Sequence, residues 1–263
     1  MGRAPRHTRQ HTALLSGHYE TLAAIILFAV FLSCAAAQDP GLLWTGTWSA
    51  APVRDDTGRE FDNQTLRQIV HTSAGGHLAR IHISNRFGSR PLTVEDVHIA
   101  QRSTGSSIVA GTDRRVQFAG RPSVIVQPGT TVVSDLIKFQ VPRLADVAIS
   151  IYLPKPTGLA TYHPSGFQTS YVAVGDVSGS TSLSGVTTTL SYYFLINLDV
   201  QDRTALGSVV TLGASITDGY ASTADTNRRW PNDLGERYVK YRSSFSWIRG
   251  KRHGGVSSCQ EAK

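Results

Sequence analysis

The sequence Asp146-Val-Ala-Ile-Ser-Ile-Tyr-Leu153 carries the pattern that decides the fold. Every second residue is apolar, so that one face of an extended chain would present Val147, Ile149, Ile151 and Leu153. This period of two is typical of a strand with one buried face. We therefore predict a β-strand here whose apolar face joins a core.

Strands of the same kind are predicted on both sides of this segment, from residue 44 to about residue 202. Leu78-Ala-Arg-Ile-His-Ile-Ser84 alternates in the same way, and further runs lie at residues 92–100, 123–126, 131–139 and 192–200. Short strands separated by turn residues at this spacing are typical of antiparallel sandwiches. Residues 44–202 are therefore predicted to form a mainly β, antiparallel β-sandwich-like domain without a helix of useful length.

The pattern changes after about residue 203. Val209-Val-Thr-Leu212 is a continuous apolar run, which predicts a strand covered on both faces. Residues 230–241 are predicted to form a helix with Pro231 in its first turn, where the missing N–H costs nothing. The segment 203–240 is therefore expected to be the opening strand and helix of an α/β domain.

The positive charge of the chain lies at its two ends. The net charge is +7, of which residues 1–37 carry +2 and residues 239–263 carry +5. Residues 38–238 are therefore neutral, and nucleic acid, which needs clustered Lys and Arg against its phosphates, is not an expected partner. Residues 241–263 are basic, rich in Ser and Gly and without a clear period, so they are predicted to be an aperiodic tail.

Residues 1–37 are predicted to be a signal peptide. A basic start precedes the apolar run at residues 22–32, and Ala35-Ala-Ala37 offers a cleavage pattern before Gln38. The apolar run is shorter than the roughly 20 residues that a spanning helix needs. A secreted or periplasmic protein is expected, with membrane contact only through this segment, and an uncleaved anchor is the alternative.

The cysteine content limits which disulfide bonds the chain can form. The chain has two cysteines, Cys34 and Cys259, and Phe31-Leu-Ser33 before the first is a poor lipoprotein signal. Cleavage near Ala37 leaves Cys259 alone, so no internal disulfide is expected in the exported domain.

The candidate site of the segment 203–240 is Gly213-Ala-Ser-Ile-Thr-Asp-Gly219. Gly213 permits a sharp turn at the strand end, and open α/β sheets bind ligands at the edge where Ser215 would lie. Backbone N–H groups that follow could stabilise an oxyanion. A helix-capping or turn serine is the alternative. Thr217 also stands where the G-x-S-x-G elbow has its second Gly.

The residues around Ser215 resemble a known family. Residues 212–220 and Asn227-Arg-Arg-Trp-Pro-Asn-Asp-Leu-Gly-Glu-Arg-Tyr238 are similar to the first sequence block of the GDSL-type, or SGNH, serine hydrolases. Three upstream segments are similar to the β-rich N-terminal region of secreted two-domain members: Trp44–Pro52, Asn63–His71 and Ile83–Gly88. The likeness covers roughly residues 44–238.

This resemblance implies a flavodoxin-like α/β/α hydrolase domain after the β domain. It implies that Ser215 is the nucleophile and that its backbone N–H is an oxyanion donor. It also implies small-molecule, carbohydrate or lipid esters as substrates, and no cofactor or metal. Ala214 departs from the usual Asp before the serine, which affects local hydrogen bonding more than the chemistry.

Two later blocks of the family pattern are not found after Ser215. Asn232-Asp233 lacks the preceding Gly of Gly-x-Asn-Asp, and Gly250 stands where the Asp of Asp-x-x-His should precede His253. Because a serine without a general base is a poor nucleophile at neutral pH, the chain is expected to be inactive or nearly so. A truncated or frameshifted gene after about Tyr238 is one expectation that accounts for the loss of the pattern.

The alternative function is an exported, non-catalytic module that binds a glycan or a protein through residues 44–202. On either reading the α/β segment is expected to lack partners for its strand edges. Proteases are then expected to trim the chain back toward Asp202.

Two further groups of residues have alternative interpretations. Four histidines, at positions 71, 77, 82 and 98, could suggest a metal, but hydrogen-bonded or solvated histidines are expected because no grouping of Cys or carboxylates accompanies them. Aromatic residues at positions 44, 48, 162, 167 and 171 are expected to pack in the core or in turns, with a sugar-binding platform as the alternative.

Overall fold

A computed structural model describes Gly2, residues 44–201 and 207–240, and the backbone of residues 245–248. The predicted signal peptide and both cysteines therefore lie outside the described residues. No described helix is long and apolar enough to cross a membrane. The strands are β1 (Trp44–Ser49), β2 (Val53–Arg54), β3 (Gln64–His71), β4 (Gly76–Ser84), β5 (Leu92–Gln101), β6 (Arg114–Val116), β7 (Val124–Val126), β8 (Thr131–Val133), β9 (Ile137–Val141), β10 (Asp146–Leu153), β11 (Thr161–His163), β12 (Ser170–Val174), β13 (Thr187–Thr189), β14 (Tyr192–Tyr193), β15 (Leu195–Gln201), β16 (Gly207–Val210) and β17 (Phe245–Ile248), and the helices are α1 (Ser215–Asp218) and α2 (Trp230–Lys240).

Two large antiparallel sheets make up most of residues 44–201. The first has the strand order β1-β15-β4-β8, with β9 also paired to β4. The second has the order β13-β12-β3-β10-β5-β6, with β7 also paired to β5. The prediction of a mainly β, antiparallel fold is confirmed.

The alternation of β10 places it at the centre of the core. Its four apolar residues, Val147, Ile149, Ile151 and Leu153, are fully buried, as the period of two predicted. They share one hydrophobic cluster with Ala79, Ile81 and Ile83 of β4, which belongs to the other large sheet. The two sheets therefore bury their apolar faces in a common core, which is the main source of stability expected for the domain.

Two predicted strands are each divided in the structure. The run at residues 131–139 becomes β8 and β9, because Ser134 turns its hydroxyl to the backbone N–H of Ile81, 3.0 Å away. The run at residues 192–200 becomes β14 and β15, because Phe194 adopts a φ of 60° and donates its N–H to Thr161 O at 2.8 Å. A single residue with positive φ is enough to end one ladder and begin another.

Arg67 is a fully buried charge inside β3. Its guanidinium donates from Nε to Ser150 Oγ at 2.8 Å and from Nη1 to Ser106 O at 2.7 Å. Nη2 donates to Ser178 O at 3.0 Å and to Ser180 O at 2.7 Å. Burial lowers the pKa of Arg67 from 12.5 to about 10, so it stays charged at neutral pH. One side chain thus joins the sheet to two loops.

The last described strand corrects the prediction for residues 241–263. Instead of an aperiodic tail throughout, this stretch contains β17, which pairs with β16 in parallel. A parallel pair needs a crossover connection, and α1 and α2 lie in it. The prediction that residues 209–212 are covered on both faces is wrong, since Val210 is 49% and Leu212 63% exposed.

Candidate active site

Ser215 begins the short helix α1 just after β16. The N-cap position belongs to Ala214, which makes no side-chain capping bond, so Ser215 is not the helix-capping serine of the alternative interpretation. Its side chain is half-buried, and its hydroxyl makes no hydrogen bond with any described residue. The structure therefore presents Ser215 at the turn between a strand and a helix with its hydroxyl unengaged.

Gly213 is required because the turn brings Thr217 close to its Cα atom. A Cβ atom built at this position would lie 2.1 Å from Thr217 Oγ1 and 2.9 Å from Thr217 Cβ. Thr217 is buried, and its backbone N–H closes the turn on Ala214 O at 2.9 Å. The glycine noted in the sequence thus serves a close approach of the chain to itself rather than a special φ.

Apolar side chains surround Ser215 on the surface. Leu212, Ile216 and Tyr220 are each more than 60% exposed. Val210 of β16 and Trp230 at the start of α2 are also exposed, at 49% and 42%. Exposed apolar residues that lie together at one turn are a feature of binding surfaces rather than of ordinary loops.

His163 and Asp218 form a buried contact between β11 and α1. The two side chains are 2% and 0% exposed, and Nε2 of His163 lies 3.4 Å from Oδ1 of Asp218. The other ring nitrogen, Nδ1, donates to the carbonyl oxygen of Ala51 at 2.8 Å. Nδ1 of His163 is therefore engaged with the backbone, Nε2 lies beside Asp218, and no described hydrogen bond joins this histidine to Ser215.

The loop at residues 163–169, the docking loop, contacts residues 207–240, the serine segment, at positions after α1. Asp225 accepts hydrogen bonds from Gln168 Nε2 at 2.7 Å, Thr169 N at 2.6 Å and Thr169 Oγ1 at 2.6 Å. Its own N–H donates to Phe167 O at 3.0 Å. The buried guanidinium of Arg229 donates to Gly166 O. Residues 218–229 therefore pack on residues 44–201, the β part of the chain. The expectation that the strand edges of the segment lack partners is wrong for one edge of β16, which pairs with β17.

The docking loop has an unusual backbone. Ser165 and Phe167 both adopt a φ of 53°, in the left-handed region that non-glycine residues rarely occupy. Between them, a Cβ atom at Gly166 would lie 2.4 Å from Tyr192 Cε2. Such conformations cost about 1–3 kcal/mol each and persist only where surrounding contacts enforce them. The contacts with Asp225 and Arg229 are of that enforcing kind.

No described residue supplies the missing oxyanion asparagine or base. Asn232 lies in the first turn of α2, where its Oδ1 accepts from Arg229 Nε at 2.9 Å, and no described hydrogen bond joins it to Ser215. His253 lies outside the described residues. Of the residues weighed for the hydrolase site, the structure positions Ser215 and does not bring a partner to it.

The histidines of the β part are paired with carboxylates that sequence reasoning missed. Nδ1 of His71 lies 2.8 Å from Asp146, Nε2 of His82 lies 2.9 Å from Asp199, and Nδ1 of His98 lies 2.7 Å from Asp113. Within the described ranges, no three His, Cys, Asp or Glu residues form a group suited to a metal. The expectation of hydrogen-bonded histidines is confirmed at these three positions.

Asp199 makes the stability of the first sheet sensitive to acid. Burial alone would raise the pKa of Asp199, but hydrogen bonds and charge from His82 and Arg80 hold it below its ordinary value. The unfolded chain then takes up the proton first as the pH falls, so this contribution is present above about pH 4 and is lost below it. Asp199→Asn is expected to lower stability at pH 7 and to flatten the decline below pH 4, measured by urea unfolding across pH.

Asp62→Asn is the matched control, because Asp62 is exposed. It should leave the pH profile of stability unchanged. A profile for Asp199→Asn that runs parallel to that of the unaltered protein would contradict the assignment.

The aromatic residues that could form a sugar platform lie on β1, β11, β12 and the docking loop. Trp48 and Tyr162 are buried, and the Tyr162 hydroxyl donates to Asp56 at 2.8 Å. Trp44 carries the guanidinium of Arg80 over its ring at 4.4 Å. Phe167 belongs to the docking loop. Trp48 and Tyr162 therefore pack in the core, as expected from the sequence.

Comparison with known proteins adds no relative: no family profile matches the chain, and no curated protein is significantly similar to it. The likeness to the GDSL-type hydrolases therefore rests on the residues quoted above.

Proposed function

We propose that this chain carries the nucleophile turn of a GDSL-type, or SGNH, serine ester hydrolase. Ser215 is the nucleophile, and its backbone N–H is the oxyanion donor. Residues 44–201 form a β-sandwich-like domain, and the segment from β16 through α2 belongs to a flavodoxin-like α/β/α domain. The protein acts outside the cytoplasm, secreted or periplasmic, on small-molecule, carbohydrate or lipid esters.

The observation that supports this proposal best is the turn itself. A half-buried serine with an unengaged hydroxyl begins a short helix, and residues 211–214 separate it from a strand that has a parallel partner. Acyl transfer needs a hydroxyl that the ester carbonyl can reach. The exposed side chains of Leu212, Ile216 and Tyr220 offer an apolar surface beside it for the acyl group of an ester.

The chemistry available to Ser215 is limited by its surroundings. Attack of Oγ on an ester carbonyl forms an acyl–serine bond, expels the alcohol and requires that the hydroxyl proton be removed. No described hydrogen bond joins a histidine to the hydroxyl of Ser215. Hydrolysis by a protein of these 263 residues is therefore expected to stay near the background rate, with slow acylation by activated reagents at most.

A fluorophosphonate probe tests the nucleophile separately from turnover. We expect slow labelling of the full chain at Ser215, read by mass spectrometry, and no label at that position in Ser215→Ala. Ser222→Ala is the matched control, since Ser222 lies in the same segment at similar exposure, and it should label like the unaltered protein.

Two results bear on the proposal in different ways. Absence of label on Ser215 in a folded protein, or label that persists in the segment of Ser215→Ala, would remove Ser215 as the nucleophile. Rapid hydrolysis of p-nitrophenyl acetate that disappears in Ser215→Ala would support the nucleophile and overturn the expectation of inactivity.

The second candidate function is an exported binding module for a glycan or a protein. The observation that favours it is the shared core, which lies within residues 48–200 and needs nothing from the serine segment. A glycan array and a pull-down with the full-length Ser215→Ala protein test this candidate. Blank results in both would count against it.

A further inference from the structure

The residues Asn63-Gln-Thr65 match the acceptor motif for N-linked glycans, which is Asn-x-Ser/Thr with any residue except Pro in the middle. The chain has five asparagines, and none of the other four has Ser or Thr two positions later. Because a three-residue motif also occurs by chance, its place in the fold decides whether a glycan fits there.

The side chain of Asn63 lies on the surface just before β3. The residue is exposed, and Tyr152 donates its hydroxyl to Oδ1 of Asn63 at 2.9 Å. No described hydrogen bond uses Nδ2, which is the atom that carries the sugar in an N-linked glycan. The folded domain can therefore hold a glycan at Asn63 without breaking a described side-chain contact.

The backbone gives Asn63 a structural role as well. It adopts a φ of 47°, in the left-handed region where Asn and Asp are enriched, and its carbonyl oxygen accepts from Gly175 N at 2.7 Å. Aspartate would meet the same needs, because it tolerates this φ and its oxygen can accept from Tyr152. Only the amide nitrogen distinguishes the two residues here, and a glycan needs that nitrogen.

Thr65, the third residue of the motif, is enclosed when the sheet forms. It is 0% exposed, in a strand that lies between β10 and β12. Its hydroxyl donates to Gly175 O at 2.6 Å and accepts from the N–H of Val177 at 3.1 Å. A transferase that reads this hydroxyl cannot reach it in the folded sheet, so the glycan must be added before β3 pairs with its neighbours.

The pair of strands β3 and β10 separates Asn63 from one contact of the serine segment. Asp146, which accepts from Asn227 at 3.1 Å, lies at one end of this antiparallel pair, and Gln64 lies at the other. Eight residues at about 3.3 Å each put these ends about 23 Å apart. A glycan at Asn63 is therefore clear of this contact.

We propose that Asn63 is an N-glycosylation site, modified as the chain enters a secretory pathway and before residues 44–201 fold. The glycan donor is an oligosaccharide on a polyprenyl pyrophosphate, and the partner is an oligosaccharyl transferase. Nδ2 attacks C1 of the first sugar, so that a C–N bond forms and the bond from C1 to the pyrophosphate oxygen breaks. The amide proton passes to a base of the transferase, and polyprenyl pyrophosphate leaves. This inference rests on the export that belongs to the proposed function, and not on Ser215.

Translation of the full chain in the presence of endoplasmic reticulum microsomes tests the site. We expect a protease-protected chain of lower gel mobility, and peptide-N-glycosidase should restore the mobility and convert Asn63 to Asp in the mass spectrum. Asn63→Asp should migrate like the deglycosylated chain. Asn232→Asp, the matched control, alters an asparagine outside the motif and should be glycosylated like the unaltered protein.

Two variants of Thr65 test the motif independently of Asn63. Thr65→Val removes the hydroxyl at nearly the same volume and should abolish the glycan. Thr65→Ser keeps a hydroxyl and should retain the glycan. Since the gel shift is acquired by the chain before it folds, a loss of stability in either variant does not change the result.

The order of modification and folding is tested with the purified, unglycosylated full chain, a transferase and its lipid-linked donor. A chain diluted from urea directly into the reaction should be modified at Asn63. A chain refolded beforehand should stay unmodified, because Thr65 is then enclosed. Equal modification of the two samples would overturn the inference that transfer precedes folding.

The microsome experiment separates failure of the site from failure of export. A protease-protected chain without a glycan would overturn the site and leave export in place. A chain that proteases digest completely would overturn both. A glycan that persists in Asn63→Asp would overturn the assignment to Asn63. Fluorophosphonate labelling of Ser215 is read on the purified chain, so its outcome is independent of all these results.

Discussion

Replacing Arg67 by methionine is expected to lower the free energy of unfolding by about 3–5 kcal/mol, the range found when one partner of a buried charged network is removed. Methionine keeps much of the apolar stem but donates no hydrogen bond. Three carbonyl oxygens, one buried and two partly buried, and the buried hydroxyl of Ser150 would lose their donor. Each unsatisfied buried group costs about 1–3 kcal/mol, while relief of the buried charge offsets part of the total.

Urea unfolding measures this effect as a lower midpoint at an unchanged slope. Arg121→Met is the matched control, since Arg121 is exposed and the substitution should leave the midpoint unchanged. A loss below about 1 kcal/mol for Arg67→Met would mean that the loops at Ser106 and Ser178 find other donors.

Replacing Asp225 by glycine is expected to release the serine segment from the docking loop. Asp225 adopts a φ of 63°, which glycine tolerates, so the substitution removes the carboxylate without adding backbone strain. Three hydrogen bonds to Gln168 and Thr169 are lost. We expect a cost of about 2 kcal/mol, which raises the population of the undocked segment about 30-fold.

Limited trypsin digestion measures the undocked population, because cleavage of a locally opened segment follows its equilibrium population. Cleavage at Arg228 and Arg237 should accelerate about 10–100-fold in Asp225→Gly, while residues 44–201 stay intact. Asp225→Asn is the control: its oxygen still accepts and its NH₂ can donate to Thr169 Oγ1, so it should resemble the unaltered protein. Equal cleavage rates in Asp225→Gly and Asp225→Asn would contradict the docking role.

The local pattern of the sequence predicts single elements well. The alternation at residues 146–153 gave the buried face of β10, and Pro231 correctly indicated the first turn of α2, which begins at Trp230 and ends at Lys240. Local pattern could not predict the break at Phe194, because its positive φ is enforced by a bond to Thr161, a residue distant in sequence. Nor could it predict β17, whose pairing with β16 depends on a partner elsewhere in the chain.

The pairings in the β part show the same limit. His82 and Asp199 are 117 positions apart, and His71 and Asp146 are 75 apart, so no spacing rule joins them. Arg67 stands in a strand whose inner residues are all buried, and a central strand between two neighbours hides polar residues as well as apolar ones. Ser215 could be found from sequence because its glycine, its strand and its helix are adjacent in the chain.

The order of the docking loop and its partner in the chain has a consequence for biogenesis. Gln168 precedes Asp225 by 57 positions, so a ribosome completes the loop roughly 3–10 s before the residue that supports it. During that interval Ser165 and Phe167 have no contact from Asp225 or Arg229 to hold their positive φ values. Residues 44–201 would thus fold first, with the docking loop still free to change conformation. Contact with the serine segment would then fix the conformation of that loop. In a chain whose residues 44–201 misfold, the serine segment would have no docking loop to contact.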